Sequence, residues 1–122
     1  MVRPVIGRSL GHIVPHMILP VADMAAAMAF YRGLGFDVEA HSDTYAWVRH
    51  GGHEILHLDL VPELDTATNP VTGYLHVRDA DAWHREWADQ PTRTPIVDQP
   101  WDMREFTLTD PSGNTLRVGH NR

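Results

Sequence analysis

A short apolar stretch, His16-Met17-Ile18-Leu19-Pro20-Val21-Ala22-Asp23, returns in altered form as Thr72-Gly73-Tyr74-Leu75-His76-Val77-Arg78-Asp79, at a constant offset of 56 residues. Leu19 falls on Leu75, Val21 on Val77 and Asp23 on Asp79. Each copy ends in an aspartate that can accept the first free N–H groups of a helix. Helical runs follow, Met24 to Arg32 and Ala80 to Asp89, and Gly33 is placed to close the first in a left-handed conformation. A repeat of this period means two copies of one supersecondary unit, here strand, helix, then three strands. The expected fold class is α+β, with two tandem βαβββ modules.

A chain of 122 residues suits one domain, divided here into an arm (1–11), module one (12–60), a linker (61–71) and module two (72–119). Strand one is expected over Ile13 to Leu19, with His12, Val14, His16 and Ile18 on one face. Tyr45 to Arg49 and His53 to Leu60 follow around the Gly51-Gly52 turn. Leu56, Leu58 and Leu60 then form the buried row, with Ile55, His57 and Asp59 opposite. Trp83 and Trp87, one helical turn apart, read as core anchors. Short strands are expected at Ile96-Val97, Arg104 to Thr109 and Thr115 to Gly119, the last two joined by the Asp110-Pro111-Ser112-Gly113-Asn114 turn.

Composition narrows the function classes. Sixteen acids against ten bases, all arginine, give a net charge of −6, whereas a nucleic-acid partner calls for a basic face. No apolar run is long enough to span a membrane and no apolar segment follows Arg3 and Arg8 as in a secretory signal, so a cytoplasmic location is expected. The chain has no cysteine, which removes disulfides and thiolate chemistry. Its nine histidines keep metal binding in view.

The motifs Leu19-Pro20-Val21-Ala22-Asp23, Phe30-Tyr31-Arg32-Gly33-Leu34-Gly35-Phe36 and Asp110-Pro111-Ser112-Gly113-Asn114 together resemble the vicinal-oxygen-chelate superfamily of glyoxalases, dioxygenases and bleomycin resistance proteins. Gln99-Pro100-Trp101, followed by Arg104-Glu105-Phe106, is similar to the bleomycin resistance branch, although Asp102-Met103 stands where that branch has a single glycine. The resemblance implies cupped mixed and antiparallel sheets with helices on the outer face. It also implies a homodimer that sequesters a cationic, ring-bearing drug in grooves at the subunit interface, without chemistry on the drug. Trp101 matches the branch's stacking tryptophan and Tyr74 a position often aromatic there.

The superfamily's enzymes hold a divalent ion at four strand positions, which the internal repeat places at His16, His57, Thr72 and Arg117. Imidazoles suit zinc, nickel or iron, but a hydroxyl is a weak ligand and a guanidinium repels a cation. The reading is therefore a non-catalytic, metal-free small-molecule binder. Trp101, Tyr74, His57, Asp59, His16, Arg117, Tyr45 and Trp47 are its candidate ligand-binding residues. The alternative is a metal-dependent lyase or dioxygenase using His16 and His57, with His76 or Asp59 as a replacement third ligand.

Overall fold

The computed structural model describes residues 10–122, so residues 1–9 of the expected arm lie outside the described residues. Module one comprises β1 (Met17–Val21), α1 (Met24–Gly33), β2 (Asp37–Ser42), β3 (Tyr45–His50) and β4 (His53–Leu60). Module two repeats it with β5 (Thr72–His76), α2 (Ala80–Glu86), β6 (Val97–Asp98), β7 (Met103–Thr109) and β8 (Thr115–Asn121). Each module forms a four-stranded mixed sheet, ordered β1-β4-β3-β2 and β5-β8-β7-β6. The first strand pairs parallel to the last, and the remaining pairs are antiparallel. The α+β class and the repeated βαβββ order are as the sequence implies.

The register repeats as well. Ile18 lies opposite His57 across β1 and β4, and Tyr74 lies opposite Arg117 across β5 and β8. One face of each sheet carries the apolar row required by strand alternation: Leu19, Val21, Ala46, Val48, Leu56 and Leu58 in module one, and Phe106, Leu108, Leu116 and Val118 in module two. All of these are buried with Met24, Ala27 and Tyr31 of α1. Trp87 is also core, its indole N–H donating to the Leu34 carbonyl at 2.9 Å, and Trp83 packs partly buried beside it.

A turn fastens one module to the other. The Asn114 amide donates to the Pro20 carbonyl at 2.8 Å and to Asp110 Oδ2 at 2.9 Å. The Ser112 hydroxyl accepts from the Ala22 N–H at 3.0 Å, and the Tyr31 hydroxyl donates to Asp110 Oδ2 at 2.7 Å. Burial, and then the charge of Asp110, hold the Tyr31 phenol well above its ordinary pKa. Asp110, Ser112 and Asn114 are all buried, so this turn of polar residues is part of the interior.

Four local expectations are corrected. The first strand starts at Met17 instead of Ile13, and Ile13 and Val14 are left 92% and 71% exposed. Pro15 has no N–H to donate to a ladder and holds Val14 out of pairing. Helix α2 stops at Glu86, short of Asp89: Trp87 leaves helical geometry (φ −99°, ψ 30°) and the Ala88 N–H donates three residues back, to the Arg85 carbonyl at 3.2 Å. The left-handed glycine after α1 is Gly35 (φ 98°), two residues beyond Gly33. The short sixth strand is Val97–Asp98, one residue later than Ile96-Val97.

Candidate functional site

The faces opposite the core rows carry the candidate residues, in three groups. In module one, the Tyr45 hydroxyl lies 2.8 Å from His57 Nδ1, and His57 Nε2 lies 2.8 Å from Glu54 Oε1. The His16 ring stands 5.3 Å from that of His57, and its Nδ1 is 3.9 Å from Glu54 Oε1. Trp47 shares the face, with the Arg49 guanidinium 5.2 Å above its ring and His41 5.2 Å away. Asp59 is exposed at the end of β4.

Glu54 was not among the sequence candidates. Strict alternation from His57 would turn it toward Leu56 and the core. Instead, Val48 pairs with Leu56 and Arg49 with Glu54, leaving Ile55 as an extra, unpaired residue. This β-bulge re-aims Glu54 onto the face of His57, and Ile55 is not the regular strand position expected of it. The clue was a carboxylate falling in a buried leucine row. The His57 hydrogen bond, and then Arg49, hold the Glu54 carboxyl below its usual range, against the opposing effect of desolvation.

In module two, the Tyr74 hydroxyl donates to Glu105 Oε2 at 2.7 Å, while Arg117 Nη1 lies 3.9 Å from Glu105 Oε1. Glu105 is only 3% exposed, and its Oε1 has no hydrogen-bond partner among the described residues. Gly119 makes the approach possible, since a Cβ there would collide with the Tyr74 hydroxyl. Burial first, then the Glu105 bond, push the Tyr74 phenol up to about 12, with Arg117 acting the other way. Glu105 too was missed, although alternation from Phe106 and Leu108 turns it onto this face. His76 is exposed at the end of β5, its ring 6.2 Å from that of Tyr74.

Trp101 forms the third group, in the loop between β6 and β7, and is 54% exposed. The loop is closed by the Gln99 N–H to the Met103 carbonyl at 2.7 Å and the Asp102 N–H to the Gln99 carbonyl at 3.2 Å. Asp102 adopts φ 62°, the conformation a glycine would favour, and Met103 begins β7. By strand order, β7, β8 and β5 separate this loop from module one. The structure thus brings His16, Tyr45, Trp47 and His57 together and Tyr74 with Arg117, while Trp101 stands on the β6–β7 loop, whose Gln99 shares a cleft with Glu105 and Arg117.

A cavity of about 480 Å³ opens at the seam between the modules. Phe36, Trp83 and Trp87 wall one side; His16, Glu54, Tyr74 and His76 also line it. His50 adds an edge against Trp83, with ring centroids 5.1 Å apart. Its size and largely apolar walls suit a small organic molecule.

The four strand positions implied for a divalent ion do not fit one. Arg117 occupies the place in β8 that His57 has in β4, and it is already committed to Glu105. Thr72, at the start of β5 opposite Thr115, supplies only a hydroxyl. Among the described residues, the group of histidine and acidic side chains whose ligand atoms lie within 4.8 Å of one another is His16, Glu54 and His57, without His76 or Asp59.

Solved structures with the same fold include a bleomycin resistance determinant encoded on the transposon Tn5 (22% identity, TM-score 0.82, covering 91% of this chain and 99% of that one). A bleomycin-binding protein from Streptomyces verticillus, in complex with copper(II)-bleomycin, is 28% identical (TM-score 0.78, 92% and 98% covered). A lactoylglutathione lyase from Agrobacterium tumefaciens aligns with TM-score 0.70 at 20% identity (90% and 94% covered). No curated protein sequence matches. Residues 9–118 match the model of one family, so the chain belongs to the glyoxalase/bleomycin resistance protein/dioxygenase superfamily.

Proposed function

We propose that this protein binds and sequesters a small molecule without transforming it, and that its ligand is a cationic, ring-bearing antibiotic of the bleomycin kind. The observation that carries the reading is the pairing of Arg117 with Glu105 where a metal-using relative would need a ligand. A fixed positive charge there opposes a cation but does not impede a binding groove. Support also comes from Trp101, a half-exposed indole on a hydrogen-bonded loop, available to stack on a flat ring at about 1 kcal/mol beyond area burial. The net charge of −6 favours capture of a cation.

The groove is proposed to be completed by a second copy of the chain. Leu10, Ile13, Val14 and Ile18 are 75%, 92%, 71% and 56% exposed, and association would cover them. Light scattering is expected to give twice the chain mass. A monomer at all concentrations removes the shared groove. Calorimetry with metal-free and with copper-loaded bleomycin tests the ligand. Binding tighter than micromolar is expected, weakened about five- to tenfold in Trp101→Ala. If both forms bind more weakly than that, and the substitution changes nothing, the antibiotic assignment fails. The enzymatic alternative is supported only by the side chains of module one.

A further inference from the structure

We propose that the seam cavity is a binding site, formed within one chain, for a flat, uncharged aromatic molecule of about two fused rings that carries a hydrogen-bond donor. The site contains neither Trp101 nor Arg117 and does not rest on the antibiotic reading.

The internal repeat explains the space. Trp47 pairs with His57 as Thr107 pairs with Arg117, so His50 to Glu54 stand in module one where Asp110 to Asn114 stand in module two. The two connections take different courses. Asp110 to Asn114 turn inward and close their end of the seam: Asp110 meets Tyr31, Ser112 the Ala22 N–H, and Asn114 the Pro20 carbonyl. His50 to Glu54 instead extend the ladder, with Arg49 paired to Glu54 and His50 to His53, and Gly51-Gly52 reverses the chain at positive φ. The hairpin therefore does not fold into its own end of the seam. Glu54 stands at the place of Asn114, and His76 is the repeat mate of Pro20. Both line the cavity, and no hydrogen bond joins them among the described residues.

The side chains around this gap set what it can hold. Trp83 and Trp87 are the repeat mates of Ala27 and Tyr31, so Trp83 brings an indole where module one has a methyl group. Its ring lies 5.1 Å from Trp87 and 6.1 Å from Phe36, and His50 meets it edge-on. Phe36 and Trp87 are buried, whereas His16 and His76 are exposed. The cavity thus runs from an aromatic floor to a polar mouth. The floor suits a flat ring, which gains both area burial and edge contacts there. At the mouth, the Glu54 carboxylate and neutral imidazole nitrogens accept hydrogen bonds, so a ligand hydroxyl has partners while an anionic group meets the Glu54 charge.

The test is titration of the full-length protein with 2-naphthol, read by calorimetry and by the assigned indole N–H signals of the four tryptophans. One molecule per chain with a Kd of about 10–100 µM is expected. The Trp83 and Trp87 signals should shift while that of Trp101 stays in place. 2-Naphthoate, which replaces the hydroxyl with an anionic group, should bind at least about tenfold more weakly. Val77→Phe puts a ring into the cavity and should weaken 2-naphthol binding at least about tenfold without lowering the thermal midpoint. Trp101→Ala should leave 2-naphthol affinity within about twofold. The proposal is overturned by the absence of saturable binding, by shifts confined to Trp101 or Trp47, by equal affinity for 2-naphthoate, or by undiminished affinity in a folded Val77→Phe. Loss of 2-naphthol binding in Trp101→Ala overturns it too, by moving the ring to the loop. If Val77→Phe does not fold, the indole shifts of the parent protein decide. Bleomycin affinity is measured separately, so the antibiotic reading stands or falls on its own.

Discussion

The polar faces of the two sheets occupy matching strand positions and hold opposite kinds of chemistry. Tyr45 meets its own sheet's histidine in a part-buried contact, whereas Tyr74 caps a buried carboxylate beside an arginine. Module one offers ring nitrogens and a carboxylate that a bulge has brought outward. Module two has already neutralised its charge internally. A duplicated backbone therefore preserves where side chains point while leaving what they do free to diverge, and a functional argument has to be made face by face.

The sharpest way to break the comparison is to unfasten the modules. Asn114 is fully buried, and its amide bridges Pro20 of module one to Asp110 of module two. Asn114→Ala should leave the Pro20 carbonyl and Asp110 short of a partner and cost about 2–4 kcal/mol, read as a lowered urea midpoint. A loss below about 0.5 kcal/mol would show that the turn is not what joins the two halves.

Substituting the paired tyrosines contrasts the faces directly. Tyr74→Phe removes the one side-chain hydrogen bond that the Glu105 carboxylate, 3% exposed, accepts among the described residues, and should cost about 1–3 kcal/mol. Tyr45→Phe acts on a part-buried histidine whose other nitrogen keeps its Glu54 contact and should cost less than about 1 kcal/mol. Equal costs from the two would remove the distinction between the faces.

The same tyrosine sets a pH window. Its folded pKa of about 12 lies above the ordinary 10.0, so folding favours the protonated phenol. That contribution is fully present below pH 10 and is lost as pH rises toward 12. Denaturant midpoints measured across this range should therefore fall less steeply in Tyr74→Phe than in the parent. Tyr31, also raised, contributes in the same direction and provides the residual slope.

How far the sequence reveals these faces depends on how regular the backbone is. Alternation correctly separates Leu56 and Leu58 from His57, and the internal repeat correctly places Arg117 in β8 where His57 stands in β4. It fails at Glu54 because one extra residue inverts the pattern locally, and periodicity cannot show an insertion of one. It fails at the start of β1 because Pro15 ends the pairing that the apolar pattern would otherwise extend. The loop of Trp101 is legible as a motif but not as a position: its distance from the histidines follows from strand order, which the sequence does not print.

The smallest expected effect concerns the outer hairpins. In module one, β2 and β3 are joined by the exposed Asp43 and Thr44; in module two, the corresponding connection carries Trp101 and the left-handed Asp102. An aspartate tolerates φ 62° better than most side chains but still less readily than glycine. Asp102→Gly relieves that cost while freeing the unfolded chain, so the net change should be within about 0.5 kcal/mol. Ligand affinity should stay within about twofold, because the loop is closed by backbone hydrogen bonds from Gln99 and Asp102 that a glycine retains. A large loss of affinity without loss of stability would mean that the Asp102 carboxylate itself meets the ligand, and the binding surface of module two would then extend beyond its sheet to the hairpin tip.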